Sequence, residues 1–397
     1  MTTETRHALV TDGQWRQGLS AIRSLGKAGY RVTVMGDSVF TMGYWSRYTC
    51  RRVRAPSANT DVEAFGQALL LELERAPGPA VLPMGDAAVT WICANLDKVS
   101  QHGKVLMPPL DSLRITHDKG ATAAVAKEIG LPVPRTWEPK TPEELTDLVA
   151  GLEDGMFVVK PRRGVGSSGI TYGQRADREF WMAHWNLFGS LLVQERIPAE
   201  GRGLGVSLLL DERGVCRAEL AHERLQQYPN SGGPSTDRQS IHAPELVEWS
   251  LALLKRLSWR GVAMVEWKSD PRDGRPKLME INGRFWGSME LAVRAGVDFP
   301  LIYARLAAGE SCGPAPEYPA GVRCRWLVPG EMLRYATQPR KERESFREFL
   351  RGLPATAEEW DRHDVRGCLA AVVCTGALGL RPSNWKYLTR ERRASRH

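Results

Sequence analysis

The sequence lacks the residue patterns of a disulfide-bonded or zinc-bound protein. Its seven cysteines are scattered, and no two of them stand at C-x-x-C spacing. Its eight histidines include no H-x-x-x-H pair. We therefore expect neither a disulfide framework nor a zinc site. Unpaired cysteines are typical of proteins in a reducing compartment, so a cytoplasmic protein is expected.

The sequence also lacks a hydrophobic run long enough to cross a membrane. The first residues, MTTETRHALV, contain no apolar core of a secretory signal. The apolar run Cys368–Leu380 has 13 residues, whereas a spanning helix needs about 20. We interpret this run as a buried helix or strand. The alternative is a weak peripheral contact with a membrane, helped by the basic residues that follow it.

Acidic residues are scarce in the C-terminal segment of the chain. Of the net charge of +8, most comes from residues 381–397, which hold one acid, Glu391, and six basic side chains: Arg381, Lys386, Arg390, Arg392, Arg393 and Arg396. The basic excess is thus a tail and not the face of a domain, so nucleic-acid binding is not expected. The remaining composition, 42% hydrophobic and 25% charged, is that of a globular chain, and 397 residues suggest two or three domains.

The first hundred residues alternate between strand and helix patterns. Predicted strands are His7–Thr11, Arg31–Met35 and Ala80–Met84, and predicted helices are Gln14–Gly29, Val62–Leu73 and Ala87–Asn95. This alternation predicts a parallel sheet with helices on its faces. The residues after the first strand, DGQWRQG, lack G-x-G-x-x-G, so a dinucleotide site is not expected. The loops that follow the strands, such as Gly85-Asp86, are where open α/β sheets bind ligands.

From Pro134 onward the sequence changes to short β-rich runs joined by Gly, Pro and Asp turns. A domain boundary is placed near Leu110–Thr116, and a helix is predicted within Asp118–Gly130. The predicted strands are Phe157–Lys160, Ile170–Tyr172, Leu191–Gln194, Gly205–Leu210 and Val215–Ala221. The pattern is typical of an α+β region dominated by antiparallel strands.

The segment Val262–Asn282 has the pattern of a β-hairpin. Two strand-like runs flank an Asp-Gly turn that starts at Asp273, and centring the hairpin there places Glu266 opposite Glu280. Two carboxylates directly across a strand pair repel each other unless a cation lies between them. Glu266, Glu280 and Asn282 supply the oxygens that Mg²⁺ prefers. The alternative is a solvated hairpin face on which a bulge separates the two acids.

Two further segments have the composition of a nucleotide site. In FVVKPRRGVGSSGI, Lys160 ends a strand and the loop Gly164–Gly169 follows. Backbone N–H groups of such a loop, with the hydroxyls of Ser167 and Ser168, cradle an anion, although the sequence is not a Walker A motif. In LLVQERIPAE, an apolar strand runs into Gln194. Taken singly, the alternatives are a flexible loop and an ordinary strand exit.

The order and spacing of these segments resemble the ATP-grasp superfamily. The resemblance is to enzymes similar to carbamoyl-phosphate synthase and to carboxylate–amine ligases, and it covers roughly residues 5–310. Its most specific element is Glu280-Ile-Asn282-Gly-Arg284, with Glu266 and Lys160 upstream. The resemblance implies an N-terminal parallel α/β domain over residues 1–112 and a two-lobed ATP-grasp domain over 113–312. The small lobe is expected at about 120–195, the large lobe at about 196–312, and a C-terminal segment with the basic tail at 313–397.

The resemblance also implies roles for individual residues. ATP is expected at Lys119, Lys160, Gly166, Ser167, Ser168, Gln194, Glu195, Ile197 and, more loosely, Glu200. Mg²⁺ or Mn²⁺ is expected at Glu266, Glu280 and Asn282. Arg284 and Lys160 are the expected catalytic residues, with Arg284 stabilising an acylphosphate and the intermediate that follows it.

The substrate site is defined less sharply. His222, Arg224, Arg238 and Ser288 are candidate contacts, because two arginines can clamp a carboxylate and a histidine can accept a proton from an amine. For His222 the alternative is a strand histidine in a polar network. Biotin carboxylases have a Glu-His pair after the E-x-N-x-R stretch, whereas this chain has Phe285-Trp-Gly-Ser-Met, so carboxylation of biotin is not expected.

The expected activity is therefore ATP-dependent ligation of a small carboxylate to an amine, with an amino acid or short peptide as partner. The reaction passes through an acylphosphate and releases ADP and phosphate. Two alternatives remain at this stage. One is the same fold with a thiol or hydroxyl acceptor, and the other is a nucleotide-binding regulatory protein without turnover. The sequence says nothing of oligomeric state.

Overall fold

The computed structural model describes residues 5–75, 78–153, 156–162, 171–172, 178–229, 232–339, 341 and 343–379. Its first unit is a parallel sheet with helices on its faces, as the sequence predicts. The elements are β1 (His7–Val10), α1 (Arg16–Lys27), β2 (Arg31–Gly36), β3 (Thr49–Arg54), α2 (Val62–Arg75), β4 (Ala80–Leu82), α3 (Asp86–Ala94), α4 (Leu96–Ser100) and α5 (Leu110–His117). The strand order is β3-β2-β1-β4, and every pairing is parallel. The sequence did not predict β3, because this edge strand is rich in arginine.

The second unit is a four-stranded antiparallel sheet with its own small core. It contains α6 (Lys119–Glu128), β5 (Thr136–Trp137), α7 (Pro142–Ala150), β6 (Phe157–Pro161), β7 (Thr171–Tyr172), α8 (Arg178–Phe188) and β8 (Leu191–Glu195). The strand order is β5-β8-β6-β7. Buried Leu145, Phe157, Trp181 and Leu191 pack together between the sheet and its helices. This core is separate from the rest, as expected of a lobe that stands alone.

The third unit is a six-stranded sheet that includes a strand from the C-terminal segment. It contains β9 (Gly203–Leu210), β10 (Cys216–Gln227), β11 (Ser235–Ile241), α9 (Pro244–Arg256), β12 (Gly261–Ser269), β13 (Pro276–Asn282), α10 (Met289–Arg294), α11 (Phe299–Ala307) and β14 (Arg323–Arg325). The strand order is β13-β12-β9-β10-β11-β14, and every pairing is antiparallel. The helices that follow are α12 (Met332–Thr337), α13 (Phe346–Phe349) and α14 (Val365–Gly379).

One face of the six-stranded sheet is apolar at one end of its strands and polar at the other. Near one end, Leu209, Ala218 and Val262 belong to a hydrophobic cluster that also contains Val10 and Leu82 of the parallel sheet. Further along, the same face carries polar side chains, because alternate residues of a strand share a face. The apolar part of the face is therefore buried in this cluster, whereas the polar part carries Glu266 and Glu280.

The predicted pairing of Glu266 with Glu280 is confirmed. β12 and β13 are antiparallel, and these two residues are direct Cα partners. The structure does contain a bulge, but it lies one pair nearer the turn. Trp267 pairs with Leu278, so Met279 is the extra residue. Because the bulge lies outside the pair, the acids stay opposite each other.

Buried ion pairs join the C-terminal segment to the parallel unit. The Asp364 carboxylate is fully buried just before α14. It accepts hydrogen bonds from Arg23 Nε at 2.9 Å, Ser46 Oγ at 2.8 Å and the Arg47 backbone N–H at 2.8 Å. A charged group removed from water needs such partners, since an unpaired buried charge is strongly unfavourable.

We therefore expect Asp364→Asn to destabilise the protein by about 3–5 kcal/mol, because the buried Arg23 guanidinium loses its counter-ion. Urea denaturation measures the change through the unfolding midpoint. The matched control is Asp97→Asn on the exposed surface of α4, which should shift the midpoint little. An unchanged midpoint in Asp364→Asn would contradict a stabilising role for this pair.

Within the described ranges, no helix combines the length and the hydropathy that crossing a bilayer requires.

Candidate active site

The facing carboxylates of β12 and β13 form the centre of the site. Burial raises the pKa of Glu280, and the adjacent Glu266 carboxylate raises it further. Three cations, Lys119, Lys160 and Arg224, act in the opposite direction. Two acids on a partly buried sheet face, surrounded by positive side chains, are arranged to bind a ligand that carries both a cation and anionic groups.

Lys160 projects toward this centre from the end of β6, in the small antiparallel lobe. Its side chain is only 4% exposed, and its Nζ donates a hydrogen bond to Gln194 Oε1 at 2.6 Å. Gln194 is fixed in turn, because its Nε2 donates to Thr136 Oγ1 at 2.9 Å. Burial lowers the pKa of Lys160 to about 8, and the charge of Lys119 lowers it too, while Glu280 opposes the shift. The site thus contains a positive charge that is poorly solvated by water.

Two side chains hold Glu266 in place. Arg224 of β10 forms an ion pair with one carboxylate oxygen. Asn282 Nδ2 donates to the other oxygen at 3.1 Å. Arg224, a predicted substrate contact, therefore lies beside the acid pair and is engaged by it.

Arg284 is held by the parallel unit. Its Nε donates to Asp86 Oδ2 at 2.7 Å, and its Nη2 lies 3.4 Å from Asn282 Oδ1. Asp86 begins α3, immediately after the β4 strand, at the loop where the sequence predicts ligand binding. His117, at the end of α5, lies 3.9 Å from the same carboxylate, and burial lowers its pKa. The N-terminal unit thus contributes directly to the site.

Residues 194–197, which include three of the expected ATP contacts, lie where β8 leaves the small lobe, and we call this segment the hinge. Ile197 is buried and its carbonyl accepts from Lys268 Nζ at 3.3 Å, whereas Glu200 is exposed. Glu195 accepts from the backbone N–H and the Nε of Arg135 at 3.1 and 3.2 Å.

The carboxylate of Glu195 also pairs with Arg272 from the β12–β13 turn. Burial would raise the pKa of Glu195, but the hydrogen bonds from Arg135 and Arg272 outweigh it and hold the pKa low. The hairpin turn is thereby joined to the hinge.

Lys119 lies next to a group of ion pairs centred on Arg162. Its backbone N–H donates to the Arg162 carbonyl at 3.1 Å. The Arg162 guanidinium bonds Asp118 at 2.8 Å and Glu138 at 2.7 Å. Residues 163–170 lie outside the described residues. They include Gly166, Ser167 and Ser168 of the predicted phosphate loop.

The interpretation of Arg238 as a substrate contact needs correction. The Arg238 side chain is 0% exposed and forms an ion pair with buried Glu358, which also accepts from Arg16 Nη1 at 3.2 Å. Since its charge is already paired and shielded from solvent, Arg238 links the sheet to the C-terminal segment and does not face a substrate.

The other two substrate candidates are buried beside the site. His222 is 1% exposed, and its ring packs over Gly205, where a Cβ would lie 2.3 Å from its Cε1. Burial, with Arg224 and Arg238 nearby, lowers the pKa of His222 to about 3. The ring is therefore neutral at physiological pH. Ser288 precedes α10, with its Oγ 3.9 Å from Met264 Sδ.

Three buried polar atoms around the acid pair have no hydrogen-bond partner among the described residues. They are His117 Nε2, Ser207 Oγ and Arg224 Nε. Unsatisfied buried polar atoms are costly, so their gathering here indicates a place where a polar ligand binds. Sequence reasoning missed Asp86, His117 and Ser207 as individual site residues. Only the position of Asp86 after a parallel strand gave a signal.

The donor set at the hairpin fits a divalent cation. Glu266, Glu280 and Asn282 offer carboxylate and amide oxygens, which are the ligands of hard cations such as Mg²⁺. Within the described part of the chain, no group of three His, Cys, Asp or Glu side chains could hold a metal ion. Asn282 would therefore have to provide the third protein donor.

The architecture matches known structures over most of the chain. Biotin carboxylase from Campylobacter jejuni is similar with a TM-score of 0.64 and 16% identity, covering 81% of this chain and 74% of that one. N5-carboxyaminoimidazole synthetase from Staphylococcus aureus has a TM-score of 0.59 and 13% identity, covering 79% and 80%. L-amino acid ligase from Bacillus licheniformis has a TM-score of 0.58 and 18% identity, covering 77% and 75%. At these identities the likeness shows the fold alone.

The fold, with a parallel N-terminal unit followed by two antiparallel sheets, is the ATP-grasp fold. Residues 223–328 also match the family model described as ATP-grasp in the biosynthetic pathway with Ter operon. That match spans about a quarter of the chain, and within it the sequence is similar to the ATP-grasp family. No curated protein gives a significant match to it.

Proposed function

We propose that this protein is an ATP-dependent carboxylate–amine ligase that forms an amide bond through an acylphosphate. The observation that carries the proposal is the pair of facing acids, Glu266 and Glu280, with Lys160 reaching in from the opposite lobe and Arg284 held alongside by Asp86. Such a site places fixed positive charge around a triphosphate and around the carboxylate that attacks it.

In the proposed reaction, a carboxylate oxygen attacks the γ-phosphorus of ATP, and ADP leaves. An amine then attacks the acyl carbon of the acylphosphate, phosphate leaves with the bonding electrons, and the amine loses a proton to solvent. Lys119 and Lys160 bind the phosphates and offset their charge. Arg284 has donors left for the acyl group, because Asp86, the Phe285 carbonyl and Asn282 each engage one of its N–H groups and a guanidinium has more than three. Arg224 is the candidate for the substrate carboxylate.

We assign the metal ligands to Glu266, Glu280 and Asn282. A Mg²⁺ or Mn²⁺ ion bound there would supply Lewis-acid neutralisation of the phosphate charge. The protein's own contribution is to keep the two acids opposed and to exclude bulk water from the sheet face on which they lie. An amino acid or short peptide is the proposed partner class, and cytoplasmic location is part of the proposal.

The proposal is tested by trapping the activated acid. The full chain is incubated with Mg²⁺, ATP and a panel of amino acids, and hydroxylamine is added to convert any acylphosphate to a hydroxamate. We expect hydroxamate and ADP with a subset of acids. Pairs of amino acids without hydroxylamine should then release phosphate and form a dipeptide mass.

The outcomes distinguish the alternatives. Hydroxamate formation with product only from thiols or alcohols would replace the amine as acceptor. AMP and pyrophosphate as products would contradict the acylphosphate route. ATP binding without hydroxamate or ADP for any acid would favour a regulatory protein that lacks turnover.

Arg224→Met is expected to strengthen Mn²⁺ binding to the nucleotide-free protein, because a cation that pairs with Glu266 is removed. The same variant should raise KM for the carboxylate substrate by about tenfold or more, since a charged hydrogen-bond donor is lost. Mn²⁺ titration followed by electron paramagnetic resonance measures the first effect. Arg202→Met is the matched control, because Arg202 is exposed and pairs with Glu223. Unchanged Mn²⁺ affinity and unchanged KM in Arg224→Met would remove Arg224 from the site.

A further inference from the structure

Helix α14 buries its small residues and exposes its large apolar residues. The residues that it buries are small: Cys368, Ala370, Ala371 and Cys374 are 9% exposed or less. The Cys368 Sγ lies 3.5 Å from Arg23 Nη2, and the Ala371 and Cys374 side chains pack with Leu19 and Met42. A surface helix normally turns its large apolar residues inward, because burying them removes the most apolar area from water.

The large apolar residues of α14 instead face outward. Val365, Leu369, Val372 and Val373 are 52%, 62%, 46% and 62% exposed. Their spacing of four, three and one residues places them on one side of the helix. The sequence interpretation of this run as buried is thus only half right, since one face is buried and the opposite, bulkier face is open.

An exposed aromatic residue lies near the start of the helix. Ser46 and Arg47 bond the Asp364 carboxylate at the start of α14, and the preceding residue, Trp45, is 47% exposed. We call this surface, made of Trp45, Val365, Leu369, Val372 and Val373, the α14 face. Its rim is basic, because Arg52 stacks on Trp45 and Arg366 is exposed within the helix. The helix itself contains no acidic residue.

The charge of the chain beyond α14 identifies the kind of partner. Arg381 is only two residues beyond Gly379, and residues 381–397 carry six basic side chains against one acid. An apolar helix face with a basic rim, followed in the sequence by a cluster of arginines and lysines, complements a membrane surface whose headgroups are negatively charged and whose interior is apolar. A second copy of the chain fits less well, because a two-fold contact through this face would bring the Arg52 and Arg366 side chains of two copies together.

We propose that the α14 face and its basic rim dock the protein on the surface of a membrane that contains anionic lipids. The helix has 15 residues and lies along the interface, with Leu369, Val372 and Val373 entering the headgroup region. Trp45 lies at the edge, where an amphipathic ring is favoured. The polar face of the six-stranded sheet belongs to another part of the molecule, so docking adds to the proposed ligase function and does not depend on it.

The test is co-sedimentation of the full chain with vesicles. One set contains phosphatidylcholine alone, and the other contains phosphatidylcholine mixed with phosphatidylglycerol. We expect sedimentation with the anionic vesicles, weakened by added salt. The double variant Leu369→Gln/Val373→Gln should lower the partition coefficient by about tenfold or more. Deletion of residues 381–397 should lower it as well. Leu187→Gln, at an exposed apolar residue of α8, is the matched control and should bind like the unmodified protein.

Far-UV circular dichroism and thermal unfolding confirm that the variants are folded, and light scattering reports their oligomeric state. Absence of sedimentation with both vesicle types overturns the proposal. So does binding that the double variant or the deletion leaves unchanged. A self-association that the double variant abolishes, without vesicle binding, would assign the α14 face to a second copy of the chain and would likewise overturn membrane docking.

Discussion

Glu280→Gln is expected to lower ATP turnover by a factor on the order of a thousand or more while the protein remains folded. An amide oxygen is uncharged and binds a hard cation more weakly than a carboxylate, so the cation would lose one of its two anionic ligands. Folding should not suffer, because the substitution removes one of two facing negative charges and burial already raises the pKa of Glu280. The measurement is ADP release at saturating substrate, with Mn²⁺ titration as an independent readout of the acid pair.

The control for this experiment is Glu248→Gln on the exposed side of α9, which keeps the chemistry of the substitution and changes its position. It should retain full turnover and Mn²⁺ binding. If Glu280→Gln releases ADP at the unmodified rate, the acid pair is not the catalytic centre and the site assignment fails. A loss of turnover together with a large fall in melting temperature would instead give Glu280 a structural role.

The second large effect concerns Lys160 and pH. Burial lowers the pKa of Lys160 from 10.5 to about 8, so its charge is lost as pH rises through that value. Because the proposed role of Lys160 is to bind phosphate, kcat/KM for ATP should be constant below pH 8 and fall above it. Lys160→Arg should keep this parameter level to higher pH, since a guanidinium stays protonated there.

Lys160→Ala should lower kcat/KM for ATP by about a hundredfold or more at neutral pH, where the lysine is charged, and should make the profile independent of this group. Lys255→Ala, on the exposed face of α9, is the matched control and should follow the unmodified profile. An unmodified protein whose kcat/KM for ATP does not fall above pH 8, or a Lys160→Arg profile identical to it, would contradict the role of Lys160.

Local patterns predicted the hairpin well. An Asp-Gly turn and two β-rich runs fix the register within a few residues, so the residue spacing alone was enough to pair Glu266 with Glu280. The bulge at Met279 was not predicted, because it depends on how β12 and β13 twist between the other strands and the helices around them. The parallel sheet was predicted for a similar reason, since alternation of strands and helices is itself a local signal.

Contacts between distant residues were not predictable in the same way. Arg238 and Glu358 are 120 residues apart, and Arg284 and Asp86 are 198 residues apart. Nothing near Arg238 indicates that its charge is neutralised by the C-terminal segment. The sequence therefore made Arg238 a candidate for binding a substrate carboxylate, whereas the structure places it in a buried ion pair with Glu358.

The sequence by itself determined the chemistry: which acids, amides and cations are present, and which of them share a strand face. These properties depend on residue identity and on spacing along a strand, both of which a linear chain carries. Only the tertiary structure decided which cations remain free to meet a ligand and which face of α14 is left open. Those outcomes depend on desolvation and on partners brought from hundreds of residues away, and packing the three sheets together is what brings them into contact.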